Sequence, residues 1–249
     1  MENIWHIYWS PTYSSYKVGI RMVKQLGQCR ELDLCEYPRS GAIENGLCVF
    51  TMPCYGGRIP EVAVKRLERI RGVNSQAIIC VTFGNRAFED ALLELKDTVE
   101  NLGFQVVGAC AIVTEHNIMH VYGTGRPDYQ DLCDVDKFIR EIKQKIANHE
   151  QEDIEVLGQR PYKEWHGHVV PIVFEEDKCM HCGMCAKLCP MNAISHENFM
   201  TDMDLCINCM RCISICPKKC KSLPNEHVNG LIERLKDACQ TRKENQFYK

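Results

Sequence analysis

Eight of the chain's 17 cysteines fall between Cys179 and Cys216, in two runs of identical spacing. Cys179, Cys182, Cys185 and Cys189, followed by Pro190, read C-x2-C-x2-C-x3-C-P. Cys206, Cys209, Cys212 and Cys216, followed by Pro217, repeat the pattern 27 residues later. Three thiolates on a tight loop cap three corners of an iron–sulfur cubane, and the fourth cysteine of each run serves the other cluster. The spacing therefore predicts two [4Fe–4S] clusters. The first would be held by Cys179, Cys182, Cys185 and Cys216, the second by Cys206, Cys209, Cys212 and Cys189. The alternative is zinc, but zinc ribbons use pairs of C-x2-C set farther apart. Cys220 stands where the first copy has Ala193 and reads as a small packing residue rather than a ninth ligand.

A second chemical pattern lies near the N-terminus. Ser10, Thr12, Ser14 and Ser15 supply hydroxyls around Tyr13 at the start of an expected helix. A helix N-terminus with nearby hydroxyl donors suits phosphate, although Ser and Thr are also ordinary helix caps. Two later loops add to it. Met52, Pro53, Tyr55, Gly56 and Gly57 follow one apolar run, and Thr82, Phe83, Gly84, Asn85, Arg86 and Phe88 end another. Glycine admits close backbone approach, and an aromatic ring can stack on a planar ligand. Cys54, in the second loop, reads as packing. Arg58, Arg86, His116 and His120 read as either ligand-facing or ordinary loop residues. The run Lys218, Lys219, Cys220, Lys221 reads as solvated surface that can dock an acidic partner.

The elements that must position these residues alternate. Strands are expected at Ile4–Trp9, Glu31–Leu34, Leu47–Met52, Ala77–Val81 and Phe104–Val113. Helices are expected at Ser15–Leu26, Pro60–Arg71, Ala87–Leu102 and Gln130–His149. Strands apolar on both faces, interleaved with helices, predict an α/β fold with a parallel sheet covered on both sides. Ligands bind such sheets at the carboxyl ends of the strands. Cys48, Cys80 and Cys110 sit inside apolar strands and read as core. The cysteine distribution divides the chain into residues 1–150, a connecting arm 151–171 that Tyr162 and Trp165 should pack down, and a cluster domain 172–249 with a C-terminal helix.

From about Ile172 to Leu223 the chain resembles the bacterial two-cluster ferredoxins. The segments SPTYSSYK, TMPCYGGRIPE, TFGNRAFEDALLELKD and GRPDYQD resemble flavodoxins, in which the matching loops hold the phosphate and ring of FMN. The whole chain resembles a family of ferredoxins with a flavodoxin-like N-terminal region, known chiefly from anaerobes. The resemblance implies a five-stranded parallel sheet in the order 2-1-3-4-5, FMN at its edge, and a small α+β ferredoxin domain carrying two [4Fe–4S] clusters. Tyr13 departs from it, standing where related phosphate loops carry glycine. A positive φ costs a bulky residue energy, and the side chain must then point away from the phosphate.

Composition bounds the rest. The 249 residues are 45% hydrophobic and 25% charged, with net charge −3, typical of a globular protein and without the basic face of a nucleic-acid binder. No apolar run approaches the ~20 residues of a membrane span, and Met1–Ser10 lacks the marks of a signal peptide. A cytoplasmic protein with reduced thiols is expected, and exposed clusters suggest an oxygen-poor cell. No G-x-G-x-x-G follows a strand, so a redox protein partner is expected in place of a dinucleotide. The expected role is electron transfer between FMN and the clusters. Two alternatives stand beside it: an FMN-dependent reductase of a small organic substrate, with Tyr55, His116 or His120 as proton donor, and a ferredoxin whose flavodoxin-like domain serves for docking without flavin.

Overall fold

The computed structural model describes residues 3–38, 40–150, 152–165 and 169–249. Its centre is a six-stranded sheet built from β1 (Ile4–Tyr8), β2 (Cys29–Asp33), β4 (Leu47–Pro53), β6 (Ser75–Phe83), β7 (Phe104–Val113) and β10 (Gln246–Tyr248), with β3 (Gly41–Glu44) and β5 (Ile70–Val73) pairing apart. The order is β10-β7-β6-β4-β1-β2. All pairings within the first five strands are parallel. In chain order those five strands run 2-1-3-4-5, the order of a flavodoxin-like sheet.

Each face of the sheet is covered, because its central strands are apolar on both sides. Helices α2 (Glu61–Leu67) and α3 (Ala91–Asn101) cover one face, where Leu67, Leu92, Leu95 and Val99 pack on Phe50, Ile79 and Val113. Helices α1 (Ser14–Leu26) and α4 (Tyr129–Ala147) cover the other. In α1 the buried positions Ser15, Val18, Gly19, Met22 and Val23 follow the helical period. Gly19 is required there, since a Cβ would come within 2.1 Å of the His6 ring. Helix α4 starts on a capping box between Asp128 and Asp131, which satisfies two backbone N–H groups that the helix cannot. Cys48, Cys80 and Cys110 are fully buried.

Several elements differ from the sequence expectation, and the helix expected from Ala87 starts only at Ala91, after the left-handed turn at Glu89. The helix expected over Pro60–Arg71 stops at Leu67, because Ile70–Val73 forms β5 and pairs parallel with β3. The C-terminal strand β10 lies outside the cluster domain to which residues 172–249 were assigned. It pairs antiparallel with β7, placing Phe247 opposite Cys110. Gln246–Tyr248 is too short to read as a strand by pattern, and the open edge of β7 is what recruits it.

The cluster domain contains β8 (Val173–Phe174) paired with β9 (Lys221–Ser222), and the one-turn helices α5 (Met184–Lys187) and α6 (Arg211–Ser214). Helix α7 (Asn225–Cys239) then returns the chain to the sheet domain, packing Leu231, Ile232 and Leu235 near Met119 and Tyr122. The connecting arm is anchored at a few points, although most of its described residues, Trp165 among them, are exposed. Ile154 enters the core, Asp90 accepts the N–H groups of Gln159 and Lys163 at 2.8 and 2.6 Å, and Tyr162 donates to Asp97. Gln151 and residues 166–168 of the arm lie outside the described residues.

Candidate functional site

The two cysteine runs have one backbone form. His181 and Asn208, Gly183 and Met210, and Asn192 and Lys219 are pairs offset by 27 residues, and all six have φ between 48° and 71°. Left-handed residues wind each loop so that its N–H groups face inward. Those groups reach sulfur: His181 N–H donates to Cys179 Sγ at 3.4 Å, Asn208 N–H to Cys206 Sγ at 3.5 Å, and Ala193 N–H to Cys189 Sγ at 3.3 Å. Such bonds stabilise thiolate, the form that binds iron.

The thiols fall into two groups. Burial first, and then the charges of neighbouring thiols, push Cys209 and Cys212 up to about 12. Cys179 lies within electrostatic reach of Cys185 and of Cys220, and Cys220 lies 3.3 Å from Cys216, sulfur to sulfur. Thiols this buried need compensating positive charge to ionise, which cluster iron supplies. Among the described residues, no three His, Cys, Asp or Glu side chains converge on a single ion. A cubane asks for no such convergence, because each thiolate caps its own iron.

Two residues missed in the sequence stand beside these thiols. Lys221, read as part of a solvated run, is 2% exposed, and its Nζ donates to the Phe199 carbonyl at 2.7 Å. Its charge acts on Cys185, Cys206 and Cys212 together. Lys218 and Lys219 are exposed as expected. Arg211 is buried, lies 5.9 Å above the Tyr13 ring, and faces Asp33 and Cys35 of the sheet domain. A charged residue inside a cysteine run gives no pattern by which burial can be foreseen.

At the carboxyl ends of β1, β4 and β6 lies a polar pocket of about 40 Å³. Of the residues expected to bind a cofactor there, it gathers Ser10, Thr12, Ser14, Ser15, Pro53, Tyr55, Thr82, Phe83 and Gly84, and adds Cys54, Thr114, Glu115, His116 and Asn117. Ser15 and Thr82 share a 2.7 Å hydrogen bond. The Nδ1 of His116 accepts the N–H groups of Ile118 and Met119, both at 3.1 Å, and burial lowers its pKa to about 4. The ring is therefore neutral, with its proton on Nε2. Tyr13 takes φ 64° and ψ 2°, the strained conformation expected, and its side chain is 44% exposed and turned toward Arg211.

Other expected cofactor residues are placed elsewhere. Met52 and Phe88 are core, and Phe88 packs 5.4 Å from Phe83, ring to ring. Asn85 is buried under the C-terminal segment, donating to the carbonyls of Cys239 and Thr241 and accepting from Lys243 N–H. Arg86 pairs with Glu89, and Arg58 pairs with Glu94. Gly57 is packed against Glu89, and Gly56 against Trp165. His120 pairs with Glu115 on the surface.

Residues 172–195 and 199–222 both match the family model described as "4Fe-4S binding domain". With the strand order above, this decides the architecture. The chain joins a sheet domain of flavodoxin-like strand order to a region matching the 4Fe-4S binding domain, a fusion of two domain types. It carries two [4Fe–4S] clusters, one for each match. No curated protein matches the fusion. Among solved structures it is similar to a flavodoxin of Streptococcus pneumonia TIGR4, with 12% identity and TM-score 0.41, covering 57% of this chain and 99% of that one. A Fusobacterium nucleatum flavodoxin bound to flavin mononucleotide is similar at 16% identity and TM-score 0.41, with 58% and 99% covered. The rubredoxin oxygen:oxidoreductase of Desulfovibrio gigas is similar at 14% identity and TM-score 0.41. That match covers 59% of the fusion but 37% of the relative. Among the described residues of the fusion, no helix is long and apolar enough to cross a membrane.

The strand-end pocket of the fusion fits the phosphate end of FMN. It presents hydroxyls, the neutral His116 N–H, and the start of α1, where Ser10 Oγ accepts the Tyr16 N–H at 3.0 Å. The ring end is tighter. Asp90 N–H donates to the Gly57 carbonyl at 3.0 Å, and Cys54 Sγ approaches the Phe88 carbonyl at 3.6 Å, so the second and third loops are bonded to each other.

Proposed function

We propose that the fusion carries electrons between a redox protein docking at the first cysteine run and FMN held at the strand ends. In this reading Cys179, Cys182, Cys185 and Cys216 hold the outer cluster, and Cys206, Cys209, Cys212 and Cys189 hold the inner one. The observation that carries it is the seat of the second run. Cys209 faces Tyr55 of the second strand-end loop, and Arg211 lies over Tyr13 of the first. Bound FMN supplies one- and two-electron chemistry, and each cluster supplies one-electron chemistry.

The chain's own residues have separate tasks. Ser10, Thr12, Ser14 and His116 Nε2 donate to the phosphate, and Gly84 lets His116 close in, since a Cβ there would meet its ring at 2.6 Å. Tyr55 keeps its proton, because burial, Cys209 and Cys35 hold it well above the usual phenol range. At the opposite end Cys182 is exposed between Met180 and Met184, which are 55% and 42% exposed. Exposed methionines make an adaptable docking surface, and the exposed Lys187, Lys218 and Lys219 favour an acidic rim on the partner.

The test is anaerobic purification with iron, sulfide and flavin analysis after incubation with FMN. About eight irons and one FMN per chain are expected. About eight irons and no flavin would overturn the flavin part. A second reading, in which the sheet domain docks partners without flavin, is favoured by the bonded second and third loops, and the same measurement decides between the two.

A further inference from the structure

A cavity of about 440 Å³ opens where the two domains and the connecting arm meet. This is the range of small-molecule sites, roughly 300–1,000 Å³, and it is separate from the strand-end pocket, with Tyr55 standing between them. Trp165 and Tyr55 supply aromatic wall, Pro60 and Val62 supply aliphatic wall, and Met191 and Ile207 come from the cluster domain. Those two residues are the telling ones. Ile207 directly follows Cys206, and Met191 lies two residues after Cys189, so one wall of the cavity is the loop structure of the inner thiol group.

The charges around the cavity are already matched. Arg58 is held by Glu94 at 2.6 Å and by the Lys163 carbonyl at 2.7 Å, with its guanidinium 4.8 Å above the Tyr162 ring. Lys65 pairs with Glu61 at 2.5 Å. These are the four charged residues of the lining. A charged ligand therefore finds no unpaired charge in this lining, whereas a neutral one needs none. Trp165 is half exposed, with its indole edge 3.0 Å from where a Gly56 Cβ would stand, so glycine at 56 is what lets it close this end. An indole and a thioether both favour a flat π system.

We infer that this seam cavity is a binding site for a neutral, planar aromatic molecule of two or three fused rings, quinone-like in shape, seated against the inner cluster's loop. The inference does not depend on FMN at the strand ends.

The test uses anaerobic holoprotein and 2-methyl-1,4-naphthoquinone as probe, with binding to the oxidised protein followed by calorimetry. The expected result is one site, weakened about tenfold or more both by Trp165→Ala and by Val62→Arg, with the 2-sulfonate of the same ring system weaker by a similar factor. Iron content identical to the parent's shows that each variant is folded and loaded. Affinity unchanged in both variants, no binding of the neutral probe, or equal binding of the sulfonate would overturn it. So would displacement of the quinone by FMN, which would make the cavity the flavin ring's own seat. Flavin analysis of the same samples separates the two proposals: quinone binding by protein that stays flavin-free after incubation with FMN sinks the flavin reading and leaves this one standing.

Discussion

The first and second cysteine runs share spacing and left-handed positions but not surroundings. In the first, Cys182 and the neighbouring Met180, His181 and Met184 are exposed. In the second, the equivalent Cys209 is 8% exposed, Met210 4% and Arg211 6%. A repeat therefore fixes how each loop wraps its ligand, and docking against the sheet domain decides which loop faces solvent. The two copies are similar devices in different surroundings, one facing solvent and one facing the strand-end loops.

The strongest way to break this comparison is to remove one thiol from each copy. Cys209→Ser should lose about four irons and also lower the thermal midpoint of the sheet domain, because the inner loop packs on it. Cys182→Ser should disturb the outer cluster and leave that midpoint unchanged. Iron analysis and circular dichroism melts read both, and a sheet domain equally sensitive to Cys182→Ser would undo the contrast.

Lys221 tests what the copies share. Its buried ammonium acts on thiols of both groups. Lys221→Met should make both cluster midpoints more negative, on the order of 100 mV, the effect of a unit charge at an effective dielectric of about 20 over roughly 8 Å. A redox titration followed by electron paramagnetic resonance would show it. A shift in one cluster alone would place the charge in one copy's service.

Smaller still is the contribution of the seam. Arg211→Ala removes a buried cation that faces the half-buried Asp33 and the Tyr13 ring, which should cost about 1–3 kcal/mol in denaturant stability. Lys187→Ala, on the exposed copy, should fall within about 0.5 kcal/mol of the parent. Equal effects would mean that Arg211 does not seat the inner loop.

The smallest effect isolates the loop itself. Gly183 has φ +71° and nothing within 4 Å of an added Cβ. Gly183→Ala should therefore cost about 1 kcal/mol through the backbone alone, measured by the same unfolding curves. No change would mean that the left-handed turn is not needed in the outer copy.

Legibility followed the range of the forces involved. The five parallel strands were readable because a strand covered on both faces must be apolar throughout. The strain at Tyr13 was readable from one residue type in one loop position. Helix α2 was read too long because Ile70 and Val73 suit a strand only once β3 lies beside them. Asn85 carried no sign that the C-terminal segment would claim its amide, since those partners lie more than 150 residues away in sequence. Phe88 fitted a ligand-facing loop as well as it fits the core. Only its contact with Phe83 and the early turn at Glu89 take it inward.

The sequence by itself determined the cluster chemistry and the sheet. Cysteine spacing and the apolar period act within a few residues, where chain geometry leaves few choices. Tertiary structure alone decided that the second run sits inside, that Lys221 lies between the thiol groups, and that a cavity opens at the seam. Each of these depends on which surfaces gain most by leaving water together, and that is a property of pairs of distant segments rather than of any one of them.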